Sequence, residues 1–295
     1  MVTLRIEHET RYEYESRVST SQHVAWLEPR ELPFQRVRSF DLLVDPKPAR
    51  LIRRIDYFGN VVHQFELLRP HDELSVLGRS RVEVEPRRDP ESGPDPPWEQ
   101  VRVWLTHTPA ERATEIVQYL GRSPQVLPTP EIAAFALESF IAGRPLLEGA
   151  VDLMHRIHRE FTFDPAATTP ATPVSRVLVD RRGVCQDFAH FQVACLRAMG
   201  LAARYVSGYL LTDPPPGQPR LIGADASHAW VSVYVPQGGW VDLDPTNDVI
   251  VGQGHVTIGW GRDYGDVTPL RGVLLGGERH KLFVGVSVVP LDGES

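Results

Sequence analysis

The chain has 295 residues, 42% of them hydrophobic and 23% charged, which is the composition of a globular protein long enough for two domains. Its net charge of −7 and the lack of a basic run make nucleic acid and anionic membranes poor candidate partners. The first residues alternate like a strand and do not resemble a signal peptide, and no apolar run approaches the roughly 18 residues of a membrane helix. We therefore expect a cytoplasmic protein.

Residues 1–86 are predicted to form an antiparallel β-sandwich. Short segments there alternate apolar with polar residues or are rich in β-branched and aromatic side chains, and turn signals such as Phe58-Gly59-Asn60 separate them. Several short strands at this spacing are typical of a β-sandwich. The predicted strands are 3–8, 10–14, 37–44, 51–56, 61–67 and 81–85.

Residues 87–98 are predicted to be a linker, because a proline-rich segment is stiff and extended and does not enter a core. Helical patterns follow first and strands later, so residues 99–295 are predicted to form a second domain and the whole chain an α+β fold. The predicted helices are 108–120, 130–141, 146–161, 174–180 and 185–200. They are followed by a strand at 204–212, a proline-rich loop at 213–219, a hairpin over 229–244 and a strand at 282–289.

The last of these helices carries a cysteine at its first turn. Apolar residues recur along 188–199 at the spacing of one buried helical face, Gly183 permits a sharp entry, and Gly200 stands where a helix commonly ends. Cys185 then lies where free backbone N–H groups and the positive end of the helix dipole favour a nucleophilic thiolate. The alternative is a small buried hydrophobic residue, and the helix alone does not decide between the two.

Neither a disulfide nor a metal site is predicted. Cys185 and Cys195 are the two cysteines, and ten helical residues separate them by about 15 Å of rise, whereas a disulfide needs Cα atoms within about 7 Å. His155 and His158 stand at i and i+3, but no third ligand is apparent nearby.

A cysteine nucleophile needs a base, and the base needs a group that holds its orientation. His190 is nearest in sequence, but positions i and i+5 point roughly 140° apart on a helix, so we predict a buried structural histidine there. In the hairpin the odd positions of both strands are small or apolar and share the core face, a register that a three-residue loop at 236–238 satisfies. His228 and Asp244 then become diagonal neighbours on the opposite face, within reach of a hydrogen bond. The pattern therefore favours Asp244 over Asp242 as the orienting acid.

Three ordered blocks around these residues resemble the transglutaminase-like superfamily. The blocks are Arg182-Gly183-Val184-Cys185-Gln186-Asp187-Phe188-Ala189-His190, Ser227-His228-Ala229-Trp230 and Gly239-Trp240-Val241-Asp242-Leu243-Asp244-Pro245-Thr246-Asn247. Residues 1–86 are similar to the β-rich N-terminal region of bacterial transglutaminase-like proteins, notably in Leu27-Glu28-Pro29-Arg30 and Asp56-Tyr57-Phe58-Gly59-Asn60. A segment that follows the catalytic core in the same group is matched by Gly261-Arg262-Asp263-Tyr264-Gly265-Asp266-Val267.

The resemblance implies a papain-like catalytic core within 99–295, in which Cys185 is the nucleophile, His228 the base and Asp244 the orienting acid. It implies a peptide or protein amide as substrate, and neither a cofactor nor a metal is expected. Animal transglutaminases have a tryptophan directly after the cysteine, where this chain has Gln186. Calcium dependence and protein crosslinking are therefore not carried over.

The expected chemistry is acyl transfer through a thioester on Cys185, and hydrolysis is slightly favoured because nothing in the sequence marks a site for a second amine. One alternative is a true transglutaminase with an amine acceptor, and another is a non-catalytic binding module that keeps the fold. Asp187, Tyr209 and Arg262 are candidate substrate-binding residues of the cleft, although a structural role weighs at least as much for each. The sequence does not indicate an oligomeric state.

Overall fold

The computed structural model describes residues 1–107, 115–212 and 227–291 of the chain. The helices are α1 (Trp98–Thr106), α2 (Pro130–Leu137), α3 (Leu146–Glu160), α4 (Val174–Asp180) and α5 (Cys185–Ala198). The strands are β1 (Val2–Ala25), β2 (Gln35–Asp45), β3 (Arg50–Ile55), β4 (Val61–Leu67), β5 (His71–Val84), β6 (Thr162–Phe163), β7 (Arg182–Gly183), β8 (Ala203–Leu210), β9 (His228–Val235), β10 (Gly239–Asp244), β11 (Val249–Ile250), β12 (His255–Gly261), β13 (Leu270–Gly276) and β14 (His280–Pro290). The predicted loop at 213–219 and the start of the predicted helix at 108–120 lie outside the described residues. No helix in the described ranges is long and apolar enough to cross a membrane.

The predicted α+β class is confirmed, with antiparallel β-structure before a mixed core. The long strand β1 is the centre of the first, seven-stranded sheet. Its first part pairs with β5 and β14 and its second part with β4 and β13, while β2 and β3 lie outside β5 and β4. The predicted strands 3–8 and 10–14 are thus one continuous strand. The strands β13 and β14 follow the core in sequence but belong to this N-terminal sheet.

The second sheet has the strand order β11-β10-β9-β8-β12 and is antiparallel. In the β9–β10 hairpin Val233 pairs with Val241, so the loop is 236–238 and the predicted register is confirmed. The odd positions of both strands, such as Val231 and Leu243, pack in one apolar cluster with Phe188 of α5. Helix α5 therefore covers the face of the sheet that carries these odd positions.

The N-terminal region occupies the outer edge of β12. The Gln35 side chain donates from Nε2 to the Thr257 carbonyl oxygen at 2.8 Å and accepts at Oε1 from the Thr257 N–H at 2.8 Å. Its amide thus replaces the backbone of a neighbouring strand, and the Arg30 N–H adds a third bond to the same carbonyl at 3.1 Å. These bonds satisfy backbone groups that an unpaired edge strand would leave open.

The two N-terminal segments that resemble bacterial relatives meet at this interface. Asn60 donates from Nδ2 to the Trp260 carbonyl oxygen and accepts at Oδ1 from the Trp260 N–H, both at 2.9 Å. The same Oδ1 accepts a hydrogen bond from Arg30 at 2.6 Å. The Arg30 guanidinium lies 3.6 Å from the Trp260 ring centroid, and Arg204 stacks on the same tryptophan at 3.7 Å. These motifs therefore attach the N-terminal region to the core sheet.

Substitution of Gln35 tests this attachment. Gln35→Leu keeps the apolar bulk but leaves the Thr257 N–H without its buried partner and the Thr257 C=O with the Arg30 N–H alone. We expect the free energy of unfolding to fall by about 1–3 kcal/mol, which is the cost of one buried polar group left unpaired. Urea unfolding measures this change. The matched control is Gln22→Leu on the exposed face of β1, where we expect less than about 0.5 kcal/mol. Equal effects of the two substitutions would contradict the interpretation.

Candidate active site

Cys185 is the first residue of α5, and its side chain is half-buried. The turn before it is shaped by Asp187, whose Oδ2 accepts from the Val184 N–H at 2.8 Å and from Thr168 Oγ1 at 2.6 Å. A Cβ at Gly183 would lie 2.6 Å from the same oxygen, so only glycine fits there. Asp187, predicted as a candidate cleft residue, is buried and holds the turn that presents the thiol.

His228 is the first residue of β9 and bridges two side chains. Its Nε2 lies 2.7 Å from Asp244 Oδ2, and the Cys185 side chain lies near enough to raise the pKa of the ring. Because Nε2 faces the carboxylate, Nδ1 is the nitrogen left for the sulfur. Burial lowers the pKa of His228, but the interactions with Asp244 and Cys185 outweigh it and raise that pKa to about 10. A pKa raised in this way favours the protonated imidazolium at neutral pH.

Asp244 ends β10 and is completely buried, and donors reach both of its oxygens. Oδ2 accepts from His228, from Asn247 Nδ2 at 2.7 Å and from His255 Nε2 at 3.1 Å. Oδ1 accepts from the N–H groups of Thr246 at 2.9 Å and Asn247 at 3.2 Å. Burial disfavours the carboxylate, but the hydrogen bonds from the two histidines and the charge of His228 lower the pKa of Asp244 below its usual range.

His255 and Asn247 were missed as site residues. Asn247 stands inside a matching block, three residues after Asp244, and its side chain folds back onto the carboxylate as asparagine often does in turns. His255 begins β12, whose partner is β8, and neither strand belongs to the hairpin. The alternation of residues along the hairpin therefore could not predict that His255 reaches Asp244.

Three residues of this hydrogen-bond network are of types that can bind a metal ion. His228, Asp244 and His255 could each offer one ligand atom, and these atoms lie within 4.8 Å of one another. Those atoms are, however, already joined by the two histidine–carboxylate hydrogen bonds, which a cation would have to replace. The expectation of a metal-free site remains a prediction.

Trp230 fills the space behind His228 and is completely buried. Its ring centroid lies 6.1 Å from that of His228 and 5.2 Å from that of His255. Trp230 Nε1 donates to Asp242 Oδ2 at 3.2 Å, and Arg87 donates to the same oxygen at 2.7 Å. Asp242 is thus engaged with the tryptophan and the arginine, and Asp244 is the carboxylate that faces His228.

The other predicted residues lie elsewhere. Tyr209 is buried in a cluster with Leu4 and Val286 of the N-terminal sheet, and its hydroxyl hydrogen bonds to His8 Nδ1 at 3.0 Å. Arg262 binds Asp266 through two side-chain nitrogens, each at 2.9 Å. Neither contact places the residue at the Cys185 thiol.

The other three histidines considered in the sequence, namely His190, His155 and His158, also have partners. His190 is buried, accepts at Nε2 from the Tyr264 N–H at 3.0 Å, and has its pKa lowered to about 4 by burial, as expected of a neutral structural histidine. His158 of α3 hydrogen bonds to the Thr246 carbonyl oxygen at 3.0 Å, and His155 pairs with Asp248. The helix α3 therefore supports the turn that follows Asp244.

Comparison with known proteins gives consistent results. Residues 136–245 match the transglutaminase-like superfamily, and residues 4–83 match the bacterial transglutaminase-like N-terminal region. An uncharacterized protein of Mycobacterium tuberculosis is 43% identical over 99% of this chain and 94% of its own length. An uncharacterized protein of Mycobacterium leprae is 35% identical over 99% of this chain and all of its own length.

Two further relatives carry functional names. A protein-glutamine gamma-glutamyltransferase of Pseudomonas aeruginosa is 37% identical over 102 residues, which is 33% of this chain and 15% of that protein. A candidate cysteine protease from Cytophaga hutchinsonii has a similar solved structure, with a TM-score of 0.78 over the whole of this chain and 92% of its own. Its sequence identity is 18%, so this likeness concerns the fold.

The buried charge of Asp244 predicts a pH-dependent stability. Because folding lowers the pKa of Asp244, its contribution is present above the ordinary value of about 3.9 and is lost as the pH falls through the lowered value. We expect Asp244→Asn to reduce the free energy of unfolding by about 3 kcal/mol at neutral pH. Urea unfolding at about pH 7, 5 and 3 should show this difference shrinking below about pH 4. Asp41→Asn on an exposed position of β2 is the control, and a difference that does not change with pH would contradict the assignment.

Proposed function

Because the chain belongs to the transglutaminase-like superfamily, we propose that Cys185, His228 and Asp244 form a catalytic triad that transfers acyl groups from amides through a thioester. The observation that supports it most is the position of His228, which hydrogen bonds to a buried carboxylate and has its pKa raised by Asp244 and Cys185. A base held by an orienting acid beside a nucleophile is the arrangement that covalent acyl transfer requires.

In the first half-reaction the Cys185 thiolate attacks the carbonyl carbon of the amide, and the carbonyl oxygen takes up the negative charge. The Cys185 N–H belongs to the first turn of α5, where backbone N–H groups lack partners within the helix, and it is suited to stabilise this oxyanion. The His228 imidazolium then gives its proton to the leaving nitrogen as the carbon–nitrogen bond breaks. The amine leaves, and the acyl group remains on Cys185 as a thioester.

In the second half-reaction the now neutral His228 accepts a proton from water while the water oxygen attacks the thioester carbonyl. The carbon–sulfur bond breaks, the carboxylic acid leaves, and the Cys185 thiolate and the His228 imidazolium are restored. Asp244 stays ionised throughout, because its five hydrogen bonds stabilise the carboxylate. Its part is to keep the histidine ring oriented and to stabilise the imidazolium.

The second candidate is transfer of the acyl group to an amine. It is favoured by the Pseudomonas aeruginosa relative named as a protein-glutamine gamma-glutamyltransferase, which matches 33% of this chain. We favour hydrolysis because water is the default acceptor and nothing in the sequence marks a second amine site. The peptide or protein substrate, the cytoplasmic location and the absence of a cofactor remain predictions from the sequence.

Replacement of the nucleophile tests the triad. We expect Cys185→Ala to abolish both the rapid alkylation by iodoacetamide near neutral pH and the hydrolysis of any amide that the wild type cleaves. Screening a library of acyl donors against both proteins measures this. Cys195→Ala is the control, since Cys195 is buried in the core and burial raises the pKa of its thiol. Retained activity in the Cys185 variant would refute the proposal.

The fate of the acyl group separates hydrolysis from transfer. The wild type is incubated with an acyl donor that it cleaves and an excess of isotope-labelled primary amine. Mass spectrometry then identifies the products. We expect the free acid to dominate at every amine concentration, because water attacks the thioester. An amide product that grows in proportion to the amine would instead establish the transglutaminase candidate.

A further inference from the structure

We propose that His255 is a positioning residue, which fixes the Asp244 carboxylate in the orientation that aligns His228. The inference rests on the proposed function of the triad and adds to it a fourth side chain. His255 lies outside the matching blocks around Cys185, His228 and Asp244.

The donors at Asp244 show what His255 contributes. Both backbone donors and the Asn247 side chain come from the turn directly after Asp244, so they move together with it. His228 is the ring that Asp244 has to orient, so it cannot also be the group that fixes the orientation of Asp244. Apart from His228, His255 is the donor among the described residues that reaches the carboxylate from another strand, at 3.1 Å from Oδ2.

His255 reaches Asp244 although their strands are not neighbours in the core sheet. In the strand order β11-β10-β9-β8-β12 two strands separate β12 from β10. His255 starts β12 opposite Leu210, while Gly208 of β8 stands opposite His228 at the start of β9. The ends of four strands therefore converge, and the bond from His255 to Asp244 closes this end of the sheet.

Close packing fixes the His255 ring. The ring is buried and meets Trp230 edge to face, at a centroid distance of 5.2 Å and an interplanar angle of 82°. Trp230 in turn lies directly on Gly208, where a Cβ would come within 2.2 Å of the indole ring and 2.3 Å of the Val256 carbonyl oxygen. Such contacts leave the tryptophan no room to move, and the histidine that packs against it is held in place.

The strand that carries His255 is itself held by the N-terminal region. Thr257, two residues further along β12, makes both backbone hydrogen bonds with the Gln35 side chain. The N-terminal region thus takes part in aligning the triad, through Gln35, β12 and His255. The titratable groups around Asp244 come from several elements. His228 and His255 both hydrogen bond to Asp244, and Cys185 faces His228 from α5. The Asp242–Arg87 pair lies beyond Trp230.

Two substitutions separate positioning from packing. His255→Leu keeps an apolar side chain against Trp230 but cannot donate, whereas the amide of His255→Gln can still donate to Asp244. Both are measured as full-length protein in the Cys195→Ala background, so that iodoacetamide reports on Cys185 alone. The readout is the rate of alkylation as a function of pH, together with the melting temperature.

The leucine variant should lose the alignment of His228 and with it part of the stabilisation of the thiolate. We expect its alkylation midpoint to move up by about one pH unit, which is about a tenfold slower rate at a fixed pH below the midpoint. The glutamine variant should stay within about threefold of the wild type, because a hydrogen bond to the charged carboxylate is retained. His71→Gln, at a buried histidine of the N-terminal sheet with one backbone hydrogen bond, should leave the midpoint unchanged.

An unchanged midpoint in the leucine variant, with or without a lower melting temperature, would overturn the inference, and so would a glutamine variant as impaired as the leucine one. If the leucine variant does not fold, the glutamine variant still decides, since a shift of its midpoint contradicts the role of the donor. A wild-type midpoint near about 8.5, the value of a free thiol, would contradict the triad itself and the inference with it.

Discussion

The structure depends on one buried hydrogen bond between charged groups, which joins His228 to Asp244 at 2.7 Å. Removing two charges from water is costly, and the attraction within such a pair offsets the cost only when further hydrogen bonds satisfy the remaining oxygens. Asp244 meets this condition with five donors from three places in the chain, namely β9, the turn 246–247 and β12. The surrounding fold can be understood as the means of bringing these donors to one carboxylate and keeping water out.

Each layer of the molecule has a part in this arrangement. Helix α5 covers the apolar face of the core sheet and presents Cys185 at its first turn, while α3 supports the turn after Asp244 through His155 and His158. The N-terminal sheet packs on β8 and β12 and satisfies the free edge of β12 through Gln35. The site therefore depends on the helices, the core sheet and the N-terminal sheet together, so a substitution far from Cys185 in the chain is expected to affect it.

The features that were predictable from the sequence are local. Alternation with period two placed His228 and Asp244 on one face of a hairpin, and the spacing of apolar residues together with Gly183 placed Cys185 at a helix start. Long-range pairing could not be predicted in this way. His255 lies on β12, which pairs with β8, and the register partner of His255 is Leu210, 45 residues earlier in the chain. For the same reason β13 and β14 were not expected in the N-terminal sheet. The pattern also left Tyr209 open between the cleft and a structural role, and the structure places it in a buried cluster with the N-terminal sheet.

The central claim is that His228 is an imidazolium held between Cys185 and Asp244, and its charge state can be measured directly. Nuclear magnetic resonance of the wild type with labelled histidine, assigned by comparison with His228→Gln, follows the ring through titration. The account predicts a His228 resonance that stays at its protonated position through neutral pH and titrates at a pKa of about 10. A resonance that titrates near the ordinary histidine value of about 6.5 would contradict the account.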